Sequence, residues 1–214
     1  MENLKNARRH FKWGKSLLVI MITVLLCSCS KAKNYDEIAR QFAQYDFDAV
    51  MPKLCYADPH MAILYDQHGI VVFDLGEQKI TGFASFEGID LSLQGSDPTF
   101  VRVSQEGKYV YVFSGENADG EKYLYDVSKD VFGQVDRYDD QFEQSVIEPK
   151  IYEGAIDQAG EAIGMRKIFQ YEEKGYCYLT VEQSENAEKV NYSNLRLVVN
   201  ENGASESKEY VIFE

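Results

Sequence analysis

Val72-Phe73-Asp74-Leu75-Gly76-Glu77-Gln78-Lys79-Ile80 decides the fold, because it recurs as Leu124-Tyr125-Asp126-Val127-Ser128-Lys129-Asp130-Val131-Phe132 at a constant offset of 52 residues. Both copies read as strand, tight turn, strand. The same rhythm extends outward from them. Short runs rich in Val, Ile, Tyr and Phe are separated by turn signals at Gln67-His68-Gly69, Gln105-Glu106-Gly107, Ala118-Asp119-Gly120, Glu172-Glu173-Lys174-Gly175 and Asn202-Gly203. The clearest strands are Ala62–Tyr65, Ile70–Asp74, Phe100–Ser104, Tyr109–Ser114, Lys122–Val127, Tyr176–Val181, Leu195–Val199 and Tyr210–Phe213.

Together with Phe100–Gly115, the two copies resemble the blade pattern of bacterial β-propeller proteins, in which an aromatic-Asp-aliphatic run ends the third strand of a blade. The resemblance spans residues 60–135. Length argues against a closed ring, since the roughly 155 residues after Ala57 supply at most about four blades of some 40 residues. The expectation is a mainly β fold: an antiparallel meander or a partial, propeller-like curved sheet with an N-terminal helix. That helix is expected from Tyr35 to about Tyr45. Asn34 and Glu37 have capping-box spacing, Asp36 and Glu37 suit the positive end of a helix, and Tyr35, Ile38, Phe42 and Tyr45 share a face. A second turn is expected from Phe47 towards Met51, where Pro52 stops it. Residues 149–166 read either as a helix weakened by Gly154, Gly160 and Gly164 or as strands around Gln158-Ala159-Gly160.

The chain of 214 residues is 45% hydrophobic and 13% aromatic with only 4 Pro, a composition that buries a core and excludes disorder. Its 22 Lys+Arg stand against 35 Asp+Glu, a formal net charge of -13. A phosphate backbone repels such a surface, and nucleic acid is not an expected partner.

The only basic stretch lies at the start. Lys5, Arg8, Arg9, Lys12 and Lys15 precede the predominantly apolar run Leu17–Leu26, which then passes into Leu26-Cys27-Ser28-Cys29. Ten residues rise about 15 Å as a helix, half of a hydrocarbon core of about 30 Å, so the run suits a signal peptide better than a permanent span. This segment resembles a bacterial lipoprotein signal over residues 1–30. The resemblance implies cleavage after Ser28, lipid on Cys29 and a stable membrane anchor of two or three acyl chains. Cys27 is the competing acceptor, with bulky Leu26 at its cut site. Ser30, in place of an Asp, leaves the outer membrane open as the destination, with the outer face of the cell membrane the alternative.

On this reading residues 1–28 are a signal peptide, 29–33 a lipidated tether and 34–214 one β-rich domain. The removed segment holds five of the basic residues and one of the acidic ones, so the mature chain carries 17 basic and 34 acidic residues, a formal -17. Such a body stands off an anionic bilayer and suits a basic partner. Of four cysteines, Cys55 and Cys177 then remain. In an exported protein they form either a disulfide, worth about 5 kcal/mol for so long a loop, or two separate buried thiols.

Catalytic signatures are missing: the chain contains no G-x-S-x-G, P-loop, H-E-x-x-H, C-x-x-C or G-x-G-x-x-G. His60 and His68 flank Asp66 and follow Asp58, but turn residues surround both and they read as solvated loop histidines rather than ligands. Asp136, Asp139, Asp140 and Glu143 crowd one segment without the spacing of a calcium loop, and read as a solvated acidic cluster able to meet a basic partner. The alternating Tyr109, Tyr111, Tyr123, Tyr125, Tyr176 and Tyr178 read mainly as strand packing, with a residual tyrosine face as a protein-binding surface. No metal and no cofactor are expected. Three functions remain: a membrane-anchored, non-catalytic envelope lipoprotein that binds a protein partner, an immunity protein that neutralises an exported toxin, and an envelope hydrolase using paired carboxylates.

Overall fold

The nonamer repeat is a repeat of backbone geometry. In the computed structural model, β3 (Gly69–Asp74) and β4 (Lys79–Ser85) flank the first copy of the turn, and β7 (Lys122–Asp126) and β8 (Val131–Val135) flank the second. Asp74 Oδ1 accepts the Glu77 N–H at 2.7 Å, and Asp126 Oδ1 accepts the Lys129 N–H at 3.1 Å. The fourth turn residue is left-handed in both copies, Gln78 at φ 54° and Asp130 at φ 50°. The residue after each Asp extends the neighbouring ladder, with Leu75 N–H donating to His60 O and Val127 N–H to Lys108 O. A side-chain cap and a matching left-handed corner therefore set the register of each hairpin.

The structure describes residues 33–45, 52–89, 99–114, 120–138, 146–147, 169–171, 175–181, 191–201 and 206–214. The expected second turn at 47–51 and the ambiguous segment 149–166 lie outside them. Three antiparallel sheets account for the body. In the first, β1 (Lys53–Ala57), β2 (Met61–Tyr65), β3 and β4 lie in sequence order. The second has the order β8-β7-β6-β5-β9, with β5 at Thr99–Ser104, β6 at Tyr109–Ser114 and the two-residue β9 at Val146–Ile147. The third is β10 (Phe169–Tyr171), β11 (Gly175–Val181), β12 (Leu195–Asn200) and β13 (Lys208–Val211), again in sequence order. The fold is mainly β, built of antiparallel meanders with one short N-terminal helix, as the sequence led us to expect.

Two cores hold the sheets together, and the first sheet contributes to both. Ala62, Leu64, Val71 and Phe73 on one face meet Cys177, Leu179, Leu197 and Val199 of the third sheet. Ile63, Ile70, Val72 and Ala84 on the other face meet Val101, Val103, Val110, Val112, Tyr123 and Tyr125 of the second. Burial on both faces explains why β2 and β3 read as unbroken apolar runs instead of alternating ones. Helix α1 (Tyr35–Phe42) packs against β4, burying Phe42 while Tyr35, Ile38 and Ala39 lie half-buried on the first core. Strand β1 escaped the sequence reading. It has only five residues, and a bulge between Leu54 and Tyr56 interrupts its alternation.

Candidate functional site

Cys29, with the whole lipoprotein signal, lies outside the described residues. Cys55 and Cys177 lie within them and are both free, which corrects the disulfide alternative. Cys55 is the extra residue of the β1 bulge and turns into the core shared with the second sheet, where its thiol donates to Ile63 O at 3.2 Å. Cys177, on β11, enters the core shared with the third sheet. The two thiols therefore occupy different cores, on opposite faces of the first sheet. Burial pushes the Cys177 thiol up to about 12 and that of Cys55 higher still, so neither offers a thiolate near neutral pH.

His60 is exposed at the β1–β2 turn, where Asp58 Oδ1 caps its backbone N–H at 2.7 Å. His68 departs from the loop expectation. Its ring stacks on Tyr45 at 5.0 Å between centroids and meets Phe42 and Tyr192 edge-on at 5.7 and 6.0 Å. The neighbouring Asp66 is only 4% exposed, yet its carboxylate is satisfied. Oδ1 accepts the N–H groups of His68 and Gly69, at 2.7 and 3.2 Å, and Oδ2 accepts the hydroxyl of buried Tyr192. Since Tyr192 leads into β12, this carboxylate fastens the first sheet to the third.

A second carboxylate does the corresponding work on the other side. Asp130, at the left-handed corner, accepts the Tyr35 hydroxyl on Oδ2 at 2.7 Å. Its Oδ1 accepts the Phe83 N–H at 3.1 Å and the Tyr125 hydroxyl. One side chain thus joins α1, β4 and β7. Tyr125 reaches it by crossing Gly82, where a Cβ would come within 2.5 Å of the hydroxyl. Burial, then the Asp130 carboxylate, pushes Tyr35 up to about 12 and Tyr125 well above its ordinary range.

The outer face of the second sheet carries the tyrosines of β6. Tyr111 and Phe113 are buried there, because Tyr138 folds back across them with centroids at 5.0 and 6.1 Å and donates its hydroxyl to Val112 O at 2.7 Å. Arg102 extends the face, its guanidinium 5.6 Å from the Phe100 ring. Tyr109 stays exposed at 36%. On the third sheet Tyr176 and Tyr178 stack at 6.2 Å and are half-buried. Packing thus absorbs most of the alternating tyrosines. Of the expected acidic cluster, Asp136 is exposed just after β8, and Asp139, Asp140 and Glu143 lie outside the described residues.

Chemically, this arrangement holds two carboxylates as acceptors and keeps Tyr35 and Tyr125 protonated. Among the described residues, no three His, Cys, Asp or Glu side chains gather closely enough to hold a metal ion. Neither clasp was found from the sequence. The available signal was the second copy of the nonamer, which places Asp130 where the first has Gln78. The chain matches no protein-family model, no curated protein and no solved structure.

Proposed function

We propose that the protein is a membrane-anchored, non-catalytic lipoprotein of a bacterial cell envelope that binds a protein partner of basic character. The observation that carries this reading is the basic n-region, apolar run and Leu26-Cys27-Ser28-Cys29 at the head of a chain whose remainder is formally -17. The lipid on Cys29 anchors the chain and its acidic body attracts the partner. The use of the buried Asp66 carboxylate and the half-buried Asp130 carboxylate as sheet fasteners supports a binding role, because both are spent on holding the fold.

Electrostatic steering gives the reading its test. The association rate with a partner captured from the producing envelope should fall steeply between about 0.01 M and 0.15 M salt, as the screening length contracts from about 30 Å to about 8 Å. Neutralising Asp136, Asp139 and Asp140 together should slow association while leaving the circular dichroism spectrum unchanged. A rate indifferent to both salt and substitution removes the charge argument, and turnover of an envelope substrate removes the binding reading.

A further inference from the structure

We propose that β8 is a strand-addition site that receives an extended, basic-ended segment of the partner protein. This rests on the protein-binding reading above and names its surface. Among the described residues β8 pairs only with β7 and forms one edge of the second sheet. An edge strand directs alternate N–H and C=O groups outward, ready to pair with another chain.

The other long edges are guarded. Helix α1 packs against β4, β1 contacts both β5 and β11, and β13 carries Lys208, which bridges to Glu201 at 2.8 Å, and Glu209. Strand β8 reads Val-Phe-Gly-Gln-Val, with no charge and no proline to discourage pairing. Val131 is 58% exposed, and Gly133 and Gln134 are exposed as well. A Cβ built on Gly133 meets nothing within 4 Å, so a neighbouring side chain can lie over it. The edge is also held in place before any partner arrives. The Asp126 cap and the Asp130 clasp fix the corner that leads into it, which lowers the ordering cost of pairing.

Charge selects the occupant. A second copy of the mature chain would bring another -17 against the first, whereas a segment with Lys or Arg at its ends meets the stretch that begins just beyond β8, which carries Asp136, Asp139, Asp140 and Glu143 against one base, Arg137. Five residues of β8 span about 17 Å, which matches a short extended segment with an apolar centre.

The probe is a synthetic peptide of alternating Val and Thr with paired lysines at both ends, titrated into the full chain in detergent and read by fluorescence anisotropy. Its control has the same side chains and charge but carries N-methyl groups on alternate amides. The expected result is saturable binding that the methylated peptide loses by about tenfold or more, with new amide-exchange protection confined to β8. Val131→Lys, at an exposed position, should weaken binding several-fold, and Val131→Thr should retain it. Equal binding of the two peptides, no binding of either, or indifference to Val131→Lys overturns the edge site. Partner capture that persists in Val131→Lys leaves the broader binding reading standing without this edge, and failure of the unmodified chain to capture any protein removes that reading.

Discussion

Replacing Asp130 by Ala removes one acceptor from three donors: the Tyr35 hydroxyl, the Tyr125 hydroxyl and the Phe83 N–H. A buried donor left without a partner costs about 1–3 kcal/mol. Tyr125 and the Phe83 amide are held between sheets, while Tyr35, on the helix, is more open to water and recovers part of its loss. A methyl side chain at φ 50° adds backbone strain of about 1 kcal/mol, since Asp tolerates the left-handed region better than Ala. The sum is a loss of about 3–6 kcal/mol, a large share of the 5–15 kcal/mol that stabilises a typical domain. Asp130→Asn keeps the corner and one acceptor oxygen, so about 1–2 kcal/mol is expected there. Urea unfolding followed by circular dichroism measures both variants, and the slope with denaturant should stay constant. In a double-mutant cycle, Tyr35→Phe should cost less in the Asp130→Ala background than in the wild type. An Asp130→Ala variant within 1 kcal/mol of wild type, or a cycle with no coupling, refutes the clasp.

Alkaline stability follows from the raised acids. Cys177 sits at about 12 when folded against an ordinary value of 9.0, so its contribution is complete below about pH 9 and is lost as pH climbs towards 12. That loss is about 1.4 kcal/mol per pH unit, measurable as a falling urea midpoint that Cys177→Ala should flatten. Cys55 and Cys177 should resist alkylation in the native protein and both react on unfolding; non-reducing peptide maps showing them linked would overturn their separation into two cores. Gly82→Ala should cost about 1–3 kcal/mol by driving a Cβ against the Tyr125 hydroxyl, and Tyr125→Phe in the same chain should recover part of it. Cys29→Ala should abolish lipid labelling and release the protein from the membrane fraction, whereas labelling lost only in Cys27→Ala moves the acceptor.

Features that depend on neighbours in sequence were legible, and those that depend on which face meets which sheet were not. The nonamer repeat was readable because an Asp cap and a left-handed corner act over a few residues, and each copy carries its own. The helix at Tyr35 was readable from its stripe. Cys55 shows the limit. Alternation along a strand assigns a side chain to a face, but the bulge between Leu54 and Tyr56 adds one residue and sends Cys55 to the core opposite Cys177. His68 looked like a solvated loop residue because a turn surrounds it, and only the arrival of Phe42, Tyr45 and Tyr192 makes its surroundings aromatic. The Asp130 clasp spans 95 positions to Tyr35. No local pattern encodes such a pairing.

The two clasps also explain how small sheets hold together without covalent links. Each core is only one layer of side chains between two four- or five-stranded sheets, and sheets of this size bury modest apolar area. A hydrophobic layer resists separation but does little against sliding, because apolar contact is not directional. A charged oxygen accepting hydroxyl and amide donors from another element is directional and fails over fractions of an ångström. Asp66 with Tyr192 fixes the first sheet against the third, and Asp130 with Tyr35, Tyr125 and the Phe83 amide fixes the second sheet, the first sheet and the helix in one place. The Asp130 clasp also sets the corner from which β8 departs, so a weakened Asp130 should disturb helix docking and edge binding together.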